Sequence, residues 1–146
     1  MTVQDVYKIL KIITDTIKGK NIVWRLDGSA NLLAQGIDTQ VRDIDIDTTL
    51  EGMDIFENAF KKYITKDFYS ERNKCRILIF DINGFELEIN SYGDRKKDMW
   101  EKTKIINWQG LDVPIIPLKY AKIFYQLINR QEKVDLINKY LSKKIF

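Results

Sequence analysis

The sequence contains no histidine and a single cysteine, Cys75, among its 146 residues. The absence of histidine excludes Ser-His-Asp and Cys-His catalysis, histidine-ligated haem and histidine-based zinc sites. A single cysteine excludes an internal disulfide bond and a cysteine-rich zinc site. Any chemistry of this chain must therefore depend on carboxylates, hydroxyls, amines or a metal ion that prefers oxygen ligands.

Long hydrophobic runs are also missing. The longest, such as ILIF at 77–80, are far shorter than the roughly 20 residues that a membrane span requires. The N-terminal segment carries an acidic residue and lacks the hydrophobic core of a signal peptide. We therefore expect a cytoplasmic protein without a membrane partner.

The length of 146 residues corresponds to one domain, and no repeat or linker is visible. A chain of this size buries roughly two-thirds of its unfolded surface. We predict one α/β (α+β) domain over 1–146, with an α/β core over 1–116. The helical segment 117–146 is expected to pack on the same body.

Charge is distributed unevenly along the chain. Residues 1–93 contain 12 Lys and Arg against 15 Asp and Glu, whereas residues 94–146 contain 12 against 6. The basic C-terminal part is either a solvated helical face or a basic wall that faces a phosphate-bearing ligand opposite an acidic metal site.

Hydrophobic periodicity and turn residues predict alternating helices and strands. Ser29 and Asp54 are the predicted N-caps of the second and third helices, and Gly36 is the predicted terminator of the second. The Asn-Gly pair at 83–84 predicts a β-hairpin, and Gln-Gly at 109–110 predicts a weaker one. Helices are predicted over 4–18, 29–36, 54–64, 117–128 and 131–143, and single strands over 21–27 and 41–48.

Three aspartates alternate with isoleucine in VRDIDIDT at 41–48. Side chains alternate across a strand, so Asp43, Asp45 and Asp47 share one face, which we expect to point outward. Carboxylates at this spacing raise one another's pKa unless a cation keeps them ionised, and Mg²⁺ or Mn²⁺ suits such oxygen ligands. The alternative is an edge strand whose charges discourage pairing.

Two further elements accompany the aspartates. Gly28 and Ser29 stand at a strand-to-helix junction, where free N–H groups would bind a phosphate. The alternative is an ordinary connection, since a glycine turn followed by a serine serves any strand-to-helix junction. In FELEIN at 85–90, Glu86 and Glu88 share one face. A carboxylate from this strand would complete a triad for two metal ions, and an ordinary amphipathic strand is the alternative.

In this order the elements resemble the DNA-polymerase-β-like nucleotidyltransferase superfamily, in particular its small stand-alone members. The resemblance rests on Gly28-Ser29, a gap of thirteen residues, Asp43-Ile44-Asp45, and LEI at 87–89. It extends to the segments GSANLLAQGI, NGFELEINSYGD and VPIIPLKYAKIFYQLINRQEK, and so covers most of the chain. It implies a mixed β-sheet flanked by helices.

The resemblance also implies an activity, the metal-dependent transfer of a nucleoside monophosphate from a nucleoside triphosphate to a hydroxyl group. The acceptor would be a small molecule, a protein or RNA. Gly28 and Ser29 would bind the nucleotide phosphates, and Asp43 and Asp45 would ligate Mg²⁺ or Mn²⁺.

A third carboxylate would hold a second ion and deprotonate the acceptor. Glu88 is preferred to Glu86 because it stands in the LEI context, and Asp47 is expected to be a surplus acid. Charge and helical placement make three basic residues candidates for triphosphate contacts, with solvated positions as the alternative: Lys119, Arg130 and Lys133.

Two other functions stay open at this point. One is a binding or regulatory protein of the same fold, such as an antitoxin-like protein with a protein partner; a homodimer is equally compatible. The other is a glycosyltransferase that uses an Asp-x-Asp motif, against which the short chain and the Gly-Ser helix opening count.

Overall fold

The computed structural model describes residues 1–91 and 99–144, which form five helices and seven strands. Short 3₁₀ turns cover Lys61–Tyr63 and Trp100–Lys102. The helices are α1 (Val3–Ile17), α2 (Gly28–Ala34), α3 (Leu50–Ala59), α4 (Leu118–Leu127) and α5 (Gln131–Lys143). The strands are β1 (Trp24–Asp27), β2 (Ile44–Thr48), β3 (Ile64–Ser70), β4 (Cys75–Ile82), β5 (Phe85–Ser91), β6 (Lys104–Trp108) and β7 (Leu111–Ile115).

Five strands form one mixed sheet in the order β1-β2-β5-β4-β3. β2 and β5 pair in parallel, and the other neighbours in this sheet pair antiparallel. β6 and β7 form a separate antiparallel ribbon. The predicted mixed sheet flanked by helices is confirmed.

The apolar face of the sheet is the centre of the main core. Ile44, Ile46, Leu87 and Ile89 are fully buried there and share one cluster with apolar residues of α1 and α3. A second cluster joins α2, α4 and α5, so the C-terminal helices pack on the same body, as predicted. The opposite face of β2 and β5 is left for polar side chains.

Both hairpins were predicted correctly from their turn residues. Asn83 and Gly84 have φ angles of 55° and 84°, and Gln109 and Gly110 have 50° and 89°. These positive angles are those of a two-residue turn whose twist matches the flanking strands.

The structure corrects two predicted N-caps. The helix α2 begins after Asp27, whose carboxylate accepts the Gly28 N–H, so Ser29 lies inside the first turn. The helix α3 begins after Thr49, whose hydroxyl accepts the Gly52 N–H, and Asp54 is an exposed residue within it. Asp, Ser and Thr are all favoured at the N-cap, so each segment offers more than one candidate to sequence reasoning.

The edge strand β3 was not predicted. Its central residues are exposed on both faces. The sequence therefore lacks the apolar residue at every second position that would indicate a strand. Pairing with β4 stabilises it instead. Among the described residues, none of the helices is long and apolar enough to span a membrane.

Candidate active site

The predicted carboxylates meet on the polar face of the sheet, where β2 and β5 run side by side. Asp45 and Glu88 are register partners on the two strands, and Asp43 immediately precedes β2. Glu86 is exposed and pairs with Asp81 of β4 instead. The structure therefore brings Glu88 rather than Glu86 to the two aspartates.

Electrostatic repulsion and burial dominate at the centre of this site. Burial, followed by the charges of Asp43, Glu88 and Asp27, raises the pKa of Asp45 well above its usual value. An opposite charge nearby favours the ionised form of a carboxyl group. A bound cation would therefore reverse the shift of Asp45.

Gly28 allows its backbone to lie directly against the Asp45 side chain. Its φ of 62° lies in the left-handed region, and a Cβ atom at this position would collide with Asp45 Oδ2. Only glycine satisfies both conditions without strain. The backbone at Gly28 therefore approaches the carboxylate that is predicted to ligate a metal ion.

We expect Gly28→Ala to lower the free energy of unfolding by more than the roughly 1–2 kcal/mol that a left-handed alanine costs. The excess comes from the collision with Asp45. Gly84→Ala is the matched control, because Gly84 has a φ of 84° and nothing within 4 Å of its Cβ position. Urea unfolding of both variants checks this, and equal losses would contradict the close approach.

Asp47 does not face outward, contrary to the prediction from the sequence. It is 1% exposed and forms an ion pair with Arg25, its register partner on β1, at 3.3 Å. Arg25 also donates to Met99 O and Thr103 Oγ1 and lies over the Trp100 ring. This arginine and the segment 99–103 close the polar face beside Asp47.

Asp27 is a site residue that the sequence reasoning missed. It is the register partner of Asp45, and its charge acts on both Asp45 and Asp47. Its Oδ1 atom accepts the Gly28 N–H at 2.7 Å, so one carboxylate stabilises the Gly-Ser turn and faces the aspartate strand. An acid directly before Gly28-Ser29 was the available signal.

The Gly-Ser turn meets α5 through Lys133. The Lys133 ammonium donates to Ser29 Oγ at 2.8 Å, across 104 residues of sequence. Burial and the Arg130 cation lower the pKa of Lys133, while Glu132, Asp45 and Asp43 oppose the shift. Lys133 and Arg130 therefore lie on the side of the molecule where the carboxylates meet.

The sequence matches a known protein family. A family model for aminoglycoside-2''-adenylyltransferase matches residues 9–139. The chain belongs to this family. A comparison with curated proteins found no match.

Solved structures share the nucleotidyltransferase fold with this family member, which confirms the predicted fold. The Thermotoga maritima protein TM1012, a candidate nucleotidyltransferase, is 24% identical with a TM-score of 0.77, over 98% of this chain and 96% of that one. The lincosamide antibiotic adenylyltransferase LnuA, solved with lincomycin, is 14% identical with a TM-score of 0.64, over 94% and 97%. ANT(2'')-Ia in complex with adenylyl-2''-tobramycin is 12% identical with a TM-score of 0.65, over 98% and 93%.

The donor set of this nucleotidyltransferase fits a magnesium ion that substrate helps to hold. Among residues 1–91 and 99–144, no group of three or more acidic, Cys or His side chains is spaced as a ready-made metal cage. Mg²⁺ does not require one, since it usually takes one or two carboxylates together with phosphate oxygens and water. Asp43 and Asp45, whose charges act on one another, would supply the carboxylates of such a partial site.

The structure places Lys119 away from the site, so its position does not support the predicted triphosphate contact. Lys119 lines a cavity of about 690 Å³ together with Gly36 and Tyr140, at the far ends of α2 and α5. Lys133 and Tyr140 are about 10 Å apart along α5, since a helix rises 1.5 Å per residue. No carboxylate lines this cavity, so the candidate active site lies elsewhere.

Proposed function

We propose that this protein transfers a nucleoside monophosphate, with ATP as the first candidate donor, to a hydroxyl group of a small molecule. The observation that carries the proposal is the meeting of two elements. Asp45 and Glu88 lie in register on adjacent strands, and the Ser29–Lys133 pair lies close enough for Asp45 to act on the ammonium. An acidic side and a basic side thus face each other, as a metal-bound triphosphate requires.

The basic side would bind the phosphates. The Ser29 hydroxyl and the N–H groups that follow Gly28 in the first turn of α2, which have no partner within the helix, would donate to phosphate oxygens. The Lys133 ammonium would exchange Ser29 Oγ for a phosphate oxygen, and Arg130 would add a second cation. Gly28 would let the phosphates approach without a side chain in the way.

The acidic side would hold the ion and accept the proton. Asp43 and Asp45 would ligate Mg²⁺ or Mn²⁺, which when bound neutralises charge on the phosphate oxygens. The acceptor oxygen forms a bond to the α-phosphorus, and the bond from this phosphorus to the bridging oxygen breaks. Pyrophosphate leaves with the electron pair, and the Glu88 carboxylate takes the acceptor proton.

The ligands of two structural neighbours support a small-molecule acceptor. LnuA was solved with lincomycin, and ANT(2'')-Ia with adenylyl-2''-tobramycin. The family match favours nucleotidyl transfer over the glycosyltransferase alternative. Lincomycin and tobramycin are therefore the first acceptors to test.

Nucleotide binding is tested by thermal stability with ATP, with and without Mg²⁺. At a hundred times its dissociation constant, ATP is expected to stabilise the protein by about 2.7 kcal/mol. Lys133→Gln is expected to weaken ATP binding about ten- to a hundredfold, since a hydrogen bond to a charged group contributes about 1.5–3 kcal/mol. Lys139→Gln is the matched control, because Lys139 is exposed on the same helix.

Transfer itself is measured with α-labelled ATP, Mg²⁺ and each acceptor. Label on an acceptor and release of pyrophosphate support the proposal. A folded protein that gains no stability from any nucleoside triphosphate, with or without Mg²⁺, would overturn it and favour the regulatory alternative.

A further inference from the structure

The cavity of about 690 Å³ at the far ends of α2 and α5 lies where the two apolar clusters of the protein meet. Three of its lining residues, Leu33, Ile106 and Trp108, pack against the main core. Two others, Leu118 and Tyr140, belong to or pack against the cluster that joins α2, α4 and α5. Cavities of about 300–1,000 Å³ with mostly apolar walls are typical sites for small molecules.

Hydrogen bonds within the protein hold the walls of this cavity in place. The Tyr140 hydroxyl donates to Gln35 O at 3.0 Å, and a Cβ atom on Gly36 would collide with that hydroxyl. The Gln35 side-chain amide donates to Ile116 O at 2.8 Å and accepts from the Leu118 N–H at 3.2 Å. These polar groups already have protein partners, so they fix the shape of the cavity and do not depend on a ligand.

The charged side chains that line the cavity in the described part of the chain are both basic. They are Lys119 of α4 and Lys144 after α5, and no described lining residue is acidic. Each ammonium lies over a tyrosine ring, with Lys119 at 5.6 Å from the Tyr120 centroid and Lys144 at 5.0 Å from that of Tyr140. Neither lysine forms an ion pair with another described residue. Apolar walls with two such cations are complementary to an anion that has an apolar body.

We propose that this cavity binds a small carboxylate with an apolar chain. The chain would lie against Trp108, Leu118 and Leu141, and the carboxylate would face Lys119 and Lys144. A carboxylate suits this place better than a phosphate, because a single charge costs less to bring beside apolar walls. The site is separate from the candidate active site, so the inference goes beyond the proposed function and does not depend on it.

The test uses octanoate as the probe and measures its affinity by calorimetry. We expect Lys119→Gln/Lys144→Gln to raise the dissociation constant of octanoate about fivefold, because two exposed ion pairs are lost. Octanol has the same chain without the charge and should bind this variant and the wild type equally. Lys122→Gln/Lys139→Gln is the matched control, since it removes two lysines of α4 and α5 that do not line the cavity.

A second variant places a like charge within the cavity. Leu141→Glu changes an exposed lining residue and should weaken the binding of octanoate more than that of octanol. Leu127→Glu makes the same change at an exposed leucine of α4 outside the lining, and it should leave both affinities unchanged.

Wild-type protein that does not bind octanoate would overturn the inference. An equal loss of octanoate affinity in Lys119→Gln/Lys144→Gln and in its control would also overturn it, since the attraction would then reflect net charge alone. Sedimentation of the ligand-free protein checks another occupant. A wild-type dimer that Leu141→Glu converts to a monomer would show that a second copy of the chain covers the cavity instead.

Discussion

Asp45→Asn is expected to slow nucleotidyl transfer strongly and, at the same time, to stabilise the ligand-free protein near neutral pH. Transfer slows because the amide is a poor ligand for the ion that neutralises the phosphates. If this interaction contributes about 4 kcal/mol to the transition state, the rate falls about a thousandfold. Stability rises because the substitution removes a negative charge from beside Asp43, Glu88 and Asp27.

The pH dependence follows from the direction of the shift. The pKa of Asp45 is raised above its usual 3.8 in the folded protein. Above that pH the folded protein therefore binds more protons at Asp45 than the unfolded chain does. Asp45 therefore lowers stability as the pH rises from 3.8 through its folded pKa. In the asparagine variant this part of the pH dependence should disappear.

Thermal melts of the ligand-free protein between pH 4 and pH 8 (about the range in which such carboxyls titrate) measure this effect, and the labelled transfer assay measures activity. Asp38→Asn is the control, because Asp38 is an exposed aspartate outside the carboxylate group. Activity of Asp45→Asn within a few-fold of wild type would contradict a metal-ligand role for this residue.

Arg25→Met is expected to lower the free energy of unfolding by about 3–5 kcal/mol, the largest stability effect predicted for this protein. The side chains of Arg25 and Asp47 are 4% and 1% exposed, so the substitution leaves a buried carboxylate without its cation. Arg76→Met is the matched control. Arg76 pairs with Asp67 and Glu57 nearer the surface, where such pairs contribute about 0–1 kcal/mol.

The cost of Arg25→Met should shrink as the pH falls. Burial and Asp27 already raise the pKa of Asp47 well above its usual value, and Arg25 is the group that opposes this. Without Arg25 the pKa rises further, so acidification protonates Asp47 and relieves the penalty. Urea unfolding at high and low pH checks the sign, and a loss that grows on acidification would contradict it.

The double variant Arg25→Met/Asp47→Leu distinguishes the contribution of the ion pair to stability from the cost of leaving the Asp47 charge buried and unpaired. Replacing a buried ion pair with apolar residues of similar volume is often neutral or stabilising. We therefore expect the double variant to recover most of the stability that Arg25→Met loses. An equal or larger loss would show that Arg25 stabilises the fold mainly through its contacts with Met99, Thr103 and Trp100.

Local features were predictable from the sequence because each depends on residues close together in the chain. The turn at 83–84 needs positive φ angles, which Asn and Gly adopt readily. Side chains alternate between the two faces of a strand, so Asp45 and Glu88 each share a face with the other polar residues of their own strand. Family resemblance then placed these strands side by side.

Long-range features needed the tertiary structure. Asp43 and Asp47 stand at equivalent positions of one alternating pattern, yet only Asp47 is buried, because Arg25 is its partner across β1 and β2. Lys119 and Lys133 are both lysines of C-terminal helices, yet only Lys133 reaches Ser29.

The sequence by itself thus determined the strands other than β3, the two hairpin turns and the type of chemistry that the carboxylates allow. Only the tertiary structure decided which charges are paired and which lysine reaches Ser29. The physical reason is that the pairing, burial and pKa of a charged side chain depend on groups distant in the chain, whose positions local periodicity does not encode.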